Sequence, residues 1–203
     1  LLPHLHEFLI LIEWMKILFP LNRSIAGAEN FKTLSFLQKQ LPKLKIKYFK
    51  SGKKVFDWVI PHEWHIKDAY IKNDNGDRII DFKNNNLHVV NYSIKINKTV
   101  SNKELQQHLF SIKNYKSAIP YVTSYYKKFW GFCLSEAQRK KLNDQKYKIK
   151  IDSKFVKGKM HYGECYLKSK NKKEIFFSTN ICHPSMANNE LSGPVVVTAL
   201  MKW

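Results

Sequence analysis

The chain has 203 residues, 44% of them hydrophobic, and carries 35 Lys and Arg against 16 Asp and Glu, a formal charge of +19. That length suits one domain or two small ones with a buried core. The charge does not by itself indicate nucleic acid, because 32 of the basic residues are Lys and 3 are Arg, spread along the whole chain, whereas phosphate readers rely on Arg forks in one patch. Cys133, Cys165 and Cys182 are odd in number and widely spaced, which argues against a disulfide framework and fits a reducing cytoplasm.

In chain order, Leu1–Phe19 lacks a basic amino end and carries His4, His6, Glu7 and Glu13, so neither a signal peptide nor a membrane span fits. Leu5, Phe8, Leu9, Ile12 and Met15 recur at helical spacing and predict a packed amphipathic helix. The missing initiating Met suggests that the natural start lies elsewhere. Pro20–Gly27 reads as a turn carrying Asn22, Arg23 and Ser24. A second helix to about Leu41 follows, with Phe31, Leu34, Leu37 and Leu41 inward and Pro42 as its stop. Leu44–Phe49 is a strand, and Ser51-Gly52 a turn.

From Lys54 the texture is β-rich. Val55–Ile60 reads as a strand, Asp68–Ile71 and Arg78–Asp81 as a hairpin around Asn73-Asp74-Asn75-Gly76, and Leu87–Ser93 as another strand. Ser101-Asn102-Lys103-Glu104 is a capping box opening a helix to about Ile112, and Ser135-Glu136-Ala137-Gln138 opens another. Ile119–Cys133 is dense in aromatics. Lys146–Asp152 and Lys159–Leu167 are strands, and in Lys43–Lys47 and Lys146–Ile151 lysines alternate with apolar residues as the solvent faces of strands. His62-Glu63-Trp64-His65 has its histidines three apart on an expected loop, not four apart on a helix as a zincin needs, and is read as surface or packing.

The chemistry is concentrated in Glu174–Trp203. Ile175–Ile181 reads as a buried strand and Pro194–Met201 as a buried helix, with Ser192 as its cap and Pro194 in its first turn. The loop between them, Cys182–Leu191, would sit at the carboxyl end of a strand, where ligands collect in α/β sheets. Imidazole and carboxylate are zinc ligands, so His183 and Glu190 are candidates, with Asn188 and Asn189 beside them. A Cys182–His183 nucleophile is weakened because neighbours along a strand point to opposite faces.

The run CHPSMANNELSGP, together with PLNRSIAG, KVFDWVIP, NNNLHVVNYSI, IPYVTSYY and WGFC, resembles the aminopeptidase-like family built on the co-catalytic zinc exopeptidase fold, sometimes found near polysaccharide-biosynthesis genes. The resemblance implies an α/β fold, a partial mixed sheet flanked by helices, formed by residues 1–53 and 153–203. An α+β domain, 54–152, would be inserted into it. It implies zinc, with His183 as the first ligand. At the bridging aspartate this chain has Asn189, and the carboxylate, Glu190, comes one residue later. An amide oxygen is a poor bridge between two dications, so Glu190 takes over or the site holds less metal.

The family's catalytic glutamate and further ligands come from segments beyond this helix. The chain therefore reads as the amino-terminal part of a longer cytoplasmic hydrolase of peptide or amide bonds, inactive alone. The alternative is a non-catalytic module binding a peptide or amino-sugar. The expected partner is a peptide or amide small molecule, with no membrane, nucleic acid disfavoured and a homo-oligomer compatible. The aromatic segment is expected to wall a cleft or an interface.

Overall fold

A computed structural model describes residues 2–170 and 173–202, with side chains from residue 7 onward. The chain divides into two compact units, Leu1–Glu63 with Val156–Trp203, and Trp64–Phe155. Sequence expectation placed the second at 54–152. The architecture is mixed α/β with small sheets, one of four strands and three of two among the described residues. Nor is any helix among them long and apolar enough to cross a membrane.

The first unit is built on helices α1 (Leu2–Leu18), α2 (Ala28–Gln40) and α5 (Ser192–Lys202). Trp14 and Leu18 of α1, Leu37 of α2, and Val195 and Ala199 of α5 form its buried core with Leu191. In α1 the inward face is Leu11, Trp14, Met15 and Leu18, at i, i+3, i+4 and i+7. Phe8 and Leu9, expected inward, are exposed, as is Phe31 of α2, and the Leu5 side chain lies outside those described. The helix is apolar on nearly every side, so periodicity alone could not select its buried face; Trp14, the largest side chain, sits in the core. Strands β1 (Lys45–Lys50) and β10 (Lys159–Glu164) pair antiparallel, with Lys43, Lys45 and Lys47 exposed as expected.

The expected strand 55–60 is a tight hairpin, β2 (Lys54–Val55) against β3 (Trp58–Val59). Phe56 adopts φ 54° at the turn, which no continuous strand allows.

The second unit centres on the sheet β5–β4–β9–β6, made of β4 (Glu63–Lys72), β5 (Arg78–Asp81), β6 (Ile96–Ser101) and β9 (Lys146–Val156). The β4–β5 hairpin forms as predicted, with Gly76 at φ 87° in the turn, a conformation that favours glycine. Along β9, Tyr147, Ile149, Ile151 and Ser153 are buried while Lys146 and Lys148 are exposed, the period-2 pattern of a half-buried strand. Strand β6 was not anticipated, since its sequence INKTVS carries one buried side chain, Val100.

His62–His65 lies at the start of β4 rather than on a loop. Trp64 is buried with its indole N–H donating to the Ser93 carbonyl at 2.9 Å, and Glu63 Oε1 accepts from the Lys159 N–H at 2.7 Å. The expected strand 87–93 is instead a 3₁₀ turn, Asn86–His88, then a segment broken by Tyr92 at φ 68° and bonded to distant backbone at Gly131 and Val122. Ser101 caps α3 (Asn102–Gln106), which ends well before Ile112 because the chain turns into β7 (Leu109–Phe110), paired in parallel with β8 (Phe132–Cys133). The Ser135–Gln138 capping box opens α4 (Glu136–Arg139). Of the aromatic segment, Trp130 and Phe132 are core residues of this unit and Tyr126 is exposed.

Candidate metal centre

The loop bearing the candidate ligands lies wholly within the first unit. It does not leave a strand, contrary to expectation: residues 173–182 pair with no strand among the described residues, and Ile175 and Phe176 are 84% and 89% exposed. β-Branched and aromatic composition favours a strand only where a neighbour supplies hydrogen bonds and a covering face. What fixes the loop is a set of polar contacts with the turn after α1 and with the start of α2.

Arg23 is fully buried; its Nη1 donates to the Leu18 carbonyl at 2.6 Å and its Nε to the His183 carbonyl at 3.0 Å. Asn30 Nδ2 donates to the Ser24 carbonyl at 2.6 Å and the Ile181 carbonyl at 3.1 Å, while Asn30 Oδ1 accepts from the Ser24 N–H. Ser185, at φ 44°, turns the chain, and its hydroxyl donates to the Phe19 carbonyl at 2.9 Å. Pro184 is buried.

Between the loop and α5 comes one π-helical turn, Ala187–Leu191, a rare widening that recurs at functional sites. Leu191 enters the core at 1% exposure, a burial worth about 2 kcal/mol, and it carries Glu190 inward, also at 1%. Asn188 and Asn189 face solvent. Ser192 does not cap α5: it is the first residue of that helix, and its hydroxyl donates back to the Asn188 carbonyl at 3.1 Å. At Gly193 a Cβ would collide with the Thr179 side chain, so this glycine permits the close approach of segment and helix.

Here Cys182, His183 and Glu190 converge, their ligand atoms all within 4.8 Å of one another. His183 Nδ1 lies 2.8 Å from Glu190 Oε1. Glu190 Oε2 accepts from the Cys182 N–H at 2.8 Å, and the Cys182 thiol donates to Oε1 at 3.5 Å. Burial pushes the Glu190 carboxyl up, but His183 and the Cys182 N–H outweigh it and hold the group below its usual range, as a carboxylate. Burial lowers Arg23 to about 10, with the Glu190 charge opposing, and the guanidinium stays charged.

Burial, reinforced by Glu190, pushes the Cys182 thiol up to about 12. At neutral pH it is a thiol, which disfavours it as a nucleophile. Its side chain and that of His183 do share one side, contrary to the strand argument, because the segment is a bend. Of the sequence candidates, His183 and Glu190 are brought together and Asn189 is turned outward. Arg23 and Asn30 were not singled out as part of the site. The available signal was an Arg in a chain with only three of them, within one of the family-like motifs.

Residues 63–154 match the family described as a domain of unknown function, DUF2172. A Clostridium acetobutylicum protein named "putative polysaccharide biosynthesis protein with aminopeptidase-like domain" is 46% identical over 185 residues, 91% of this chain. The chain is a homologue of that protein over 91% of its own length. A crystal structure of a "putative peptidase" from the same organism matches with a TM-score of 0.90 at 45% identity, covering 95% of this chain. This chain spans 42% of the length of the curated relative and 45% of the solved chain. The donor set is compatible with a metal ion: one imidazole and one carboxyl group in contact, with a thiol beside them.

Proposed function

We propose that this chain forms part of a zinc-dependent aminopeptidase-like hydrolase acting on a peptide or amide small molecule, with His183 and Glu190 as its contribution to the metal locus. The observation that carries the reading is the 2.8 Å approach of His183 Nδ1 to the buried carboxyl of Glu190 just before α5. The TM-score of 0.90 with a protein described as a peptidase supports an exopeptidase-type fold in which Trp64–Phe155 is inserted. Free Cys133, Cys165 and Cys182 accord with a cytoplasmic setting.

When bound, zinc would polarise the scissile carbonyl and lower the pKa of a water. His183 presents its imidazole to that ion, Glu190 keeps negative charge beside it, and Arg23 balances that charge while anchoring the His183 carbonyl. On this reading a general base would have to come from outside this cluster. The full-length protein should therefore cleave aminoacyl substrates, lose activity to a chelator and regain it with zinc, while residues 1–203 alone do little or nothing. Turnover indifferent to chelation, or robust cleavage by residues 1–203, would sink the reading.

A second reading, a peptide- or amino-sugar-binding module on the same fold, is favoured by the exposure of Asn189 at the bridging position. Zinc binding without turnover in the full-length protein would select it.

A further inference from the structure

Resting on that metal reading, we infer that Glu190 acts on the metal through His183 rather than by ligating it: it holds the Nδ1 edge of the ring so that His183 presents Nε2. A carboxylate has about four lone-pair directions. Oε1 faces both His183 Nδ1 and the Cys182 thiol, and Oε2 takes the Cys182 N–H, so three directions are occupied by the two residues of the loop itself. Glu190 is 1% exposed, so direct ligation would require an ion to enter a closed space and displace these contacts.

His183 is arranged the other way. Its side chain is 23% exposed, yet Nδ1 is itself buried, so the accessible part of the ring is not the Nδ1 edge. Its backbone is tied independently, by Arg23 Nε to the carbonyl at 3.0 Å. The ring and the main chain of the same residue are thus fixed by two oppositely charged buried side chains from different elements. This is the arrangement of a metal-binding histidine whose second nitrogen donates to a carboxylate, which sets the tautomer and raises ligand basicity. The displacement of the carboxylate from position 189 to position 190 has the same consequence. In the π-turn the exposed residue is the amide and the buried one the acid, so the acid meets the histidine instead of the solvent-facing side of the loop.

The test is long-range proton–nitrogen NMR on the full-length protein labelled at histidine nitrogens, metal-free and then with zinc added. The expected result is His183 protonated at Nδ1 when metal-free, with zinc shifting Nε2 and leaving the Nδ1 proton in place. Protonation at Nε2, or a zinc shift at Nδ1, would overturn the proposal while leaving the metal reading intact. An Nδ1 proton with no response to zinc at either nitrogen overturns the metal reading itself and the role assigned to Glu190 with it. As a second measurement, Glu190→Gln keeps an oxygen that can accept from Nδ1 and should weaken zinc binding by about 10- to 100-fold. Abolished zinc binding in a variant whose circular dichroism and thermal unfolding match wild type would show direct ligation.

Discussion

The two units handle charge in opposite ways. In Trp64–Phe155, Arg78 pairs with Asp68 and Asp81 at the surface, both at 3.0 Å, and the buried face of β9 is apolar apart from Tyr147 and Ser153. In the other unit a guanidinium and a carboxylate are both taken out of solvent, Arg23 at 0% and Glu190 at 1% exposure, and each bonds the backbone of the same loop, at His183 and Cys182. Surface pairs contribute little to stability, whereas removing one member of a buried set leaves the other charge uncompensated. The contrast separates a region organised for its own stability from one that spends polar groups on holding a single histidine.

The sharpest way to break that contrast is Arg23→Met. It removes two buried hydrogen bonds from a charged donor and leaves Glu190 unbalanced, so urea unfolding should report a loss of about 3 to 5 kcal/mol in the first unit. In Arg78→Met, by contrast, the unfolding midpoint of the second unit should scarcely move. Ile149→Ala, at a fully buried position of β9, should cost about 2 to 5 kcal/mol in the second unit by the same measurement. A midpoint unchanged by this substitution would contradict the sheet register given for β9.

Smaller is the effect of Ser135→Ala, which removes one half of the capping box on α4 and should cost about 1 kcal/mol by thermal unfolding. Last comes a pH effect confined to the second unit. His88 is buried with Nδ1 2.7 Å from the Cys133 carbonyl, and burial lowers its pKa from the usual 6.5, outweighing that contact. Below 6.5 the unfolded chain takes up the proton before the folded one does, so the unfolded state binds more protons and stability falls. The contribution is complete above 6.5 and is lost as the pH drops through the folded value. Denaturant unfolding between pH 7 and 5 should show this decline, and His88→Gln should flatten it.

Local chemistry was legible in the sequence, and long-range closure was not. The lysine alternation of β9, the Asn-Gly hairpin and the Ser135 capping box each complete their hydrogen bonds within a few residues or one ladder, so pattern sufficed. Ile175–Ile181 failed as a strand because composition cannot supply the neighbour that a strand needs. Leu87–Ser93 failed because its Val90 and Asn91 N–H groups bond to the distant Gly131 and Val122 carbonyls, those of His88 and Ser93 close local turns, and Tyr92 takes a left-handed conformation.

At the site, His183 and Glu190 were readable as ligand types at a loop–helix junction, and the structure places them in contact. Arg23 was not, since its partners lie 5 and 160 residues away. The outward turn of Asn189 depends on a π-turn that no residue pattern announces.

The central claim, that His183 is a metal-binding residue, is tested most directly by calorimetric titration of zinc into the full-length protein and its His183→Ala variant. The variant should lose at least one zinc equivalent while circular dichroism in chelator shows it still folded. Equal zinc stoichiometry and affinity in the two proteins would contradict it.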